Sequence, residues 1–285
     1  MIRLMGCSII LKENLMEKIK GLYNFVINTL RMRKLIFKLA KNDFKSKYAG
    51  SYFGLTWGFV QPIVTILIYW FVFTRGIRSG SHNDKVPFIL WFMTGIIPWF
   101  YFADALSSAT ASLLEYSYLV KKIVFRTSVL PMVKLVSALF IHLFFILILF
   151  IVYAVYGFGI SIYNIQFIYY TLCMIVLLVG LSWLTSAVIP FFRDLGQIIS
   201  IMLQFGLWLT PIMWPITSLS SKLGIIFRLN PIYYIVDGYR DTFINHIWFF
   251  EKPGITAYYW SVTIIILLLG IHVFKKLKPH FADVL

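Results

Sequence analysis

Asp237 and Asp241 stand one helical turn apart with Arg240 between them, a spacing that could set two carboxylates to share acid and base roles. Neither a third ligand nor a base accompanies them, so a local ion-pair cluster accounts for them better than a catalytic pair. Asp104 and His142 are ionisable residues inside the apolar stretches, where such groups are costly and persist where they bind an ion or a proton. Asp104 either faces a water-filled path or pairs with the hydroxyl of Ser107 or Ser108, and His142 suits a packed, singly bonded side chain better than a relay. Two isolated groups do not make a relay, so an external energy source is expected. The chain has no G-x-x-x-x-G-K-[ST] loop to cradle nucleotide phosphates, and no H-E-x-x-H, C-x-x-C or D-x-D cluster for metal chemistry. No catalytic residue and no metal ligand is assigned.

The elements that must position these residues follow from composition. A chain of 285 residues that is 60% hydrophobic and 13% charged cannot cover a water-facing surface, whereas lipid requires no polar covering. Six apolar stretches, near residues 54–74, 87–113, 130–156, 166–189, 195–214 and 256–274, match the roughly 17 to 25 residues that a helix needs to cross about 30 Å of hydrocarbon. All six are expected to be helices, because a lone chain without strand-length alternation has no other way to satisfy its backbone in lipid. The second is longer than a straight crossing needs, which predicts tilt or a bend at Pro98.

With the N-terminus inside, nineteen of the 26 Lys and Arg fall on cytoplasmic segments and seven outside, and eleven of the nineteen precede residue 50. This bias explains the net charge of +15 without nucleic acid, for which no soluble basic domain remains. Cys7 and Cys173 fall in the cytoplasmic arm and the fourth span, an implausible disulfide geometry. Residues 1–30 lack the compact hydrophobic region and cleavage site of a signal peptide; they read as an accessory arm, or as a start called too early with Met16 as the true one.

Three connecting segments carry more pattern than linkers need. In residues 31–50, Lys34, Lys38, Lys41 and Lys45 fall on one side of a helix, and Ile36, Phe37, Ala40 and Phe44 on another, the pattern of a basic amphipathic helix lying on the inner membrane surface. It serves as an anchor, or it shapes a way in for a lipid-attached substrate and touches a cytoplasmic partner. Residues 115–129 combine Glu115, Lys121, Lys122 and Arg126 with Leu119, Val120, Ile123 and Phe125, which fits either a short docking helix or a tight charged turn. Residues 215–255 are too apolar for water around 223–236 and are expected to dip into the outer leaflet as short helices broken at Asn230 and Pro231. Within the second span Phe88, Phe92, Gly95, Trp99 and Phe102 share roughly one face, either as packing or as a path of ring faces on which sugars stack, with Asp104 nearby.

Taken in order, several segments resemble the permease subunits of ABC-2 type exporters of bacterial surface polysaccharides, the group that moves O-antigen, capsule and teichoic acid. They are Asp43-Phe44-Lys45 with Tyr48, Gly54, Trp57 and Pro62; Gly95 with Trp99; Ser112-Leu113 with Leu119-Val120-Lys121-Lys122; Phe192-Arg193-Asp194; Thr210-Pro211-Ile212; Leu229-Asn230-Pro231; Tyr239-Arg240; and Phe281-Ala282-Asp283. The resemblance runs from about residue 35 to the end. It implies a homodimer in the bacterial cytoplasmic (inner) membrane, both termini cytoplasmic, with two separate nucleotide-binding ATPase subunits that hold ATP and Mg. The substrate it implies is an undecaprenyl-linked glycan. By the same resemblance Glu115, Leu119, Val120, Lys121, Lys122, Phe125 and Arg126 belong to the helix that couples to the ATPase, and Asn230, Pro231, Tyr239 and Arg240 to the exit. Where the family usually has Phe-Pro-Arg, this chain has Phe125-Arg126-Thr127, which leaves the end of the coupling helix undefined.

The expected fold is an all-α integral membrane protein with six transmembrane helices, an amphipathic interfacial helix, a short coupling helix and re-entrant outer helices before the last span. Residues 1–30 form the arm, 31–50 the interfacial helix, 51–274 the transmembrane domain and 275–285 a cytoplasmic tail. The expected function is that of a permease, not an enzyme, whose partners include membrane lipids and no nucleic acid. The alternatives are an exporter of a small drug or lipid on the same fold and a membrane glycosyltransferase.

Overall fold

The computed structural model describes residues 24–29, 31–47, 52–76, 86–121, 125–216 and 221–285. Within them every regular element is a helix, with no strand. Helix α1 (24–29) leads into α2 (Arg33–Lys47). A turn at Gly54–Thr56 starts α3 (Trp57–Phe71), which continues through Val72–Gly76. Then follow α4 (Phe88–Glu115), the single turn α5 (Ser117–Val120), α6 (Val129–Val155), α7 (Gln166–Val188) and α8 (Leu195–Leu209). Two short helices, α9 (Ser221–Arg228) and α10 (Pro231–Arg240), precede the long α11 (Pro253–Leu277) and the terminal turn α12 (Phe281–Val284).

Among the described residues, five helical segments are long and apolar enough to cross a membrane: Gly54–Thr74, Phe88–Glu115, Val129–Val155, Ile162–Val188 and Pro253–Val284. The expected fifth span, 195–214, is the exception. Its helix stops at Leu209 after 15 residues, about 22 Å at about 1.5 Å per residue, short of the hydrocarbon core. The cause is local: Thr210 turns extended ahead of Pro211, whose ring disfavours helical backbone in the residue before it. Hydropathy alone does not see such a stop.

Helix α4 is the hub, packing against α3, α6, α7, α8 and α10. It passes Pro98 as one continuous helix and buries residues on every side, Phe92, Ile96, Ala105 and Leu113 among them. Helices α7 and α11 meet at two glycines: a Cβ on Gly180 would stand 2.8 Å from the Leu267 backbone, and one on Gly270 would collide with the Gly180 carbonyl. Small residues let helix backbones approach where lipid gives no hydrophobic drive to pair them.

The expected amphipathic helix is present. Ile36 and Ala40 of α2 are buried, mainly against α6, while Lys34, Lys38, Lys41 and Lys45 are all exposed. Phe37 is largely exposed and sets its edge on Phe140, the ring that Phe44 also meets. The last residues of the arm join the body as well: Phe25 packs edge-on against Trp183 at 5.0 Å, and Thr29 is buried with its hydroxyl 3.1 Å from that of Ser128. Residues 1–23 lie outside the described residues. At the far end Phe281 is buried against Phe274 and Phe191, which fastens the terminal turn to the connection between α7 and α8.

Candidate functional site

Two polar clusters stand at opposite ends of α4. At one end, Asp43 projects from the buried side of α2 and accepts from Lys134 Nζ at 2.7 Å and from the Tyr116 hydroxyl at 2.6 Å. Lys134 also pairs with Glu115, the last residue of α4, and its ammonium lies 5.1 Å from the Tyr116 ring centroid. Burial alone would raise the Asp43 carboxyl, but the hydrogen bonds from Lys134 and Tyr116 and the Lys134 charge hold it below the usual carboxylate range. The cluster ties the surface helix, the end of α4 and the head of α6 to the turn that opens α5. Lys134 is thus a further ionisable residue inside a span-length helix, beyond Asp104 and His142, and its signal in the sequence was a single lysine six residues into an apolar run.

The expected coupling residues follow directly. Helix α5 is one turn, with Val120 buried, Leu119 half-buried and Lys121 exposed. Phe125 is half-buried and Arg126 exposed, while Lys122 lies outside the described residues. The large apolar side chain that α5 presents to solvent is Tyr118, at 59% exposure, which the sequence reading did not single out.

At the other end of α4 the motif residues converge. Asn230 caps α10, its side chain accepting from the Ile232 N–H at 3.0 Å, and Pro231 occupies the first turn, where no N–H is needed. The same Asn230 donates to the Thr210 hydroxyl at 3.0 Å. Arg240 is buried, donates to the Ile212 carbonyl at 3.1 Å and lies 3.8 Å from the Trp91 ring centroid. Gly95 makes room for it: a Cβ there would stand 3.3 Å from Arg240 Nη2 and 3.2 Å from Ile212 Cγ2. Tyr239 turns the other way, its hydroxyl 2.7 Å from that of Thr171 and 3.0 Å from His142 Nε2.

The expected ion-pair cluster exists with a different cation. Lys252 lies 2.9 Å from Asp237 and also pairs with Asp241, whereas Arg240 is turned onto α4. Burial and the adjacent Asp237 charge hold the Asp241 carboxyl above its usual range despite Lys252. Asp104 finds Lys47 at 2.5 Å, with Ser108 at 3.4 Å. His142 is packed, stacked on Tyr101 at 4.7 Å and bonded to Tyr239.

The aromatic face of α4 is a packing seam in this structure. Phe88 stacks between Phe73 and Phe92, Tyr69 meets Phe92 edge-on, and Trp99 leans on Phe102. Phe92, Trp99 and Phe102 are buried and Phe88 half-buried within the subunit, and the Trp99 ring reaches 2.7 Å from where a Cβ at Gly206 of α8 would stand. Open aromatic surface lies instead on α3 and α8, at Trp57, Phe71, Phe205 and Trp208.

Residues 34–244, which include both clusters, match the ABC-2 type transporter family, and the chain belongs to it. It is a multi-pass membrane protein. Among its relatives is an "O-antigen export system permease protein RfbA" of Klebsiella pneumoniae, 27% identical over 259 residues, which span 88% of this chain and 95% of that one. A protein of the same name from Myxococcus xanthus is 24% identical over 253 residues, with the same coverage of each chain.

Proposed function

We propose that this chain is the membrane permease of an ATP-driven exporter that carries a lipid-linked surface polysaccharide across the bacterial inner membrane. The observation that carries the reading is the run of α4 between the two clusters. Trp91 and Glu115 are separated by about 36 Å of helix at about 1.5 Å per residue, packed on nearly every side. A push at α5 therefore moves the Arg240 corner with little lost to bending. The two relatives named as O-antigen permeases support a polysaccharide as the cargo, of O-antigen, capsule or teichoic acid type.

ATP and Mg belong to two partner ATPase subunits, which grip α5 through Tyr118 and the basic residues beside it. Two copies of the chain meet through the exposed faces of α3 and α8, with an undecaprenyl-linked glycan passing between them and both termini in the cytoplasm. Helix α8 completes a sixth crossing together with the turns at Thr210–Trp214, and α9 and α10 re-enter the outer leaflet. No covalent chemistry occurs in the chain.

Deletion of the chain's coding sequence from its host tests this reading. The expected result is loss of surface glycan with lipid-linked glycan retained on the cytoplasmic side, restored by the intact chain. Normal surface glycan after deletion, in a host without a second such permease, overturns it.

A further inference from the structure

We propose that a groove bounded by α1, α2, α6 and α7 binds one anionic glycerophospholipid, with an acyl chain against the spans and its phosphate on Arg33. The groove encloses about 480 Å³ and is almost wholly apolar; Arg33 is its one charged lining residue. The polar groups at its base are already engaged. Thr29 bonds to the Phe25 carbonyl and pairs with Ser128, and the Trp183 indole N–H donates to the Ser128 carbonyl. A hydrocarbon trough with a single cation at its rim is complementary to an amphiphile with one anionic head.

The depth of the groove fits the same occupant. Its lining descends from Arg33 and Phe37 on the surface helix to Val179 and Ile175 on α7. On α7 that lining runs from Trp183 to Ile175, eight residues or about 12 Å at about 1.5 Å per residue. A trough of that length along a span is the course of an acyl tail. At the rim, Arg33 is exposed, and among the described residues no carboxylate is within 4.0 Å of it. Arg31 and Lys34 beside it are exposed as well, but neither lines the groove. The inference rests on the membrane orientation given above, with α2 at the interface, and not on the cargo or on the ATPase.

The test uses the full-length chain, purified in a mild detergent and examined by native mass spectrometry. Phosphatidylglycerol and phosphatidylcholine with identical palmitoyl and oleoyl chains are offered at equal concentration. The expected result is one retained phosphatidylglycerol per chain, favoured about fivefold over phosphatidylcholine for one interfacial cation. Arg33→Gln removes the preference and leaves the unfolding midpoint unchanged. Val179→Trp fills the trough and removes retention of both lipids; Ile175→Trp, deeper in the groove, repeats the test if the first variant does not fold. Equal retention of the two lipids by the wild type, or a preference that survives Arg33→Gln, overturns the proposal. Greater lipid retention after removal of residues 1–22 also overturns it, since the arm would then be the natural occupant. Failure of the export reading leaves this measurement unaffected, because it needs neither glycan nor partner.

Discussion

Asp43 on the surface helix and Lys134 at the head of α6 form a buried ion pair 2.7 Å long, with 6% and 10% of their side chains exposed. Taking two charges out of water is costly, and the pair holds because Tyr116 and Glu115 complete its hydrogen bonding. Lys134→Met leaves Asp43 buried and unpaired and is expected to cost about 3 to 5 kcal/mol of subunit stability. The double variant Asp43→Asn with Lys134→Met recovers most of that loss. Unfolding midpoints of the four proteins in one detergent, arranged as a double-mutant cycle, check the coupling.

The same pair sets a pH dependence. The folded-state carboxyl of Asp43 is depressed below its ordinary value of 3.8, so its stabilisation is fully present above that value and is lost as pH falls through the lower folded value. Labelling of a cysteine placed at Ile36 by a dipyridyl disulfide, which reacts with thiols in acid, is expected to stay slow from pH 7 to pH 5 and to accelerate only below pH ~4. In Asp43→Asn the acceleration attributable to this group is absent.

Helix α5 has one exposed ring and one buried side chain, Tyr118 and Val120, with different expectations. Tyr118→Asp is expected to leave the unfolding midpoint of the subunit unchanged while uncoupling ATP hydrolysis from export, because its ring is exposed and free to meet a partner. Val120→Asp is expected to lower the yield of folded subunit, because a charge would be buried without a partner. Comparing subunit yield with ATPase-coupled export distinguishes the two.

Arg240 is held by shape as well as charge. Arg240→Lys keeps the cation but loses the flat guanidinium that lies on Trp91 while reaching the Ile212 carbonyl, and a desolvated cation–π contact is worth about 2 kcal/mol. Export is expected to fall in Arg240→Lys and in Trp91→Leu alike, with little further loss in the double variant. Additive losses in a transport assay would separate the two residues.

Gly180→Val places a side chain where the Leu267 backbone stands, 2.8 Å from the first added carbon. Neither helix can yield without opening the whole α7 to α11 contact. A loss of at least about 1 to 3 kcal/mol is expected from overpacking, read as a lower unfolding midpoint.

Much of this fold is legible in the sequence where periodicity or length decides. The lysines of α2 sort from Ile36, Phe37, Ala40 and Phe44 at helical spacing; the lysines are exposed and Ile36 and Ala40 buried, while Phe44 is half-buried and Phe37 largely exposed. Four of the long apolar stretches likewise become helices near their expected bounds, and the first does so when its end turns are counted. The errors arise where one residue overrides an average. Pro211 ends α8 within an expected span, and Lys134 vanishes in the mean of a 27-residue apolar helix. Adjacency also misleads, since Arg240 lies next to Asp241 in the chain and yet points to α4, leaving Lys252, eleven residues on, as its cation. The aromatic side of α4 reads equally well as seam or path, because ring spacing on one helix does not say what covers it.

The mass of the complex drawn gently from its native membrane tests the central proposal most directly. Two copies of this chain with two copies of a P-loop ATPase are expected, with the ATPases lost from Tyr118→Asp. A chain recovered alone or with glycan-synthesising enzymes, under conditions that keep a known exporter whole, would contradict an ATP-driven permease.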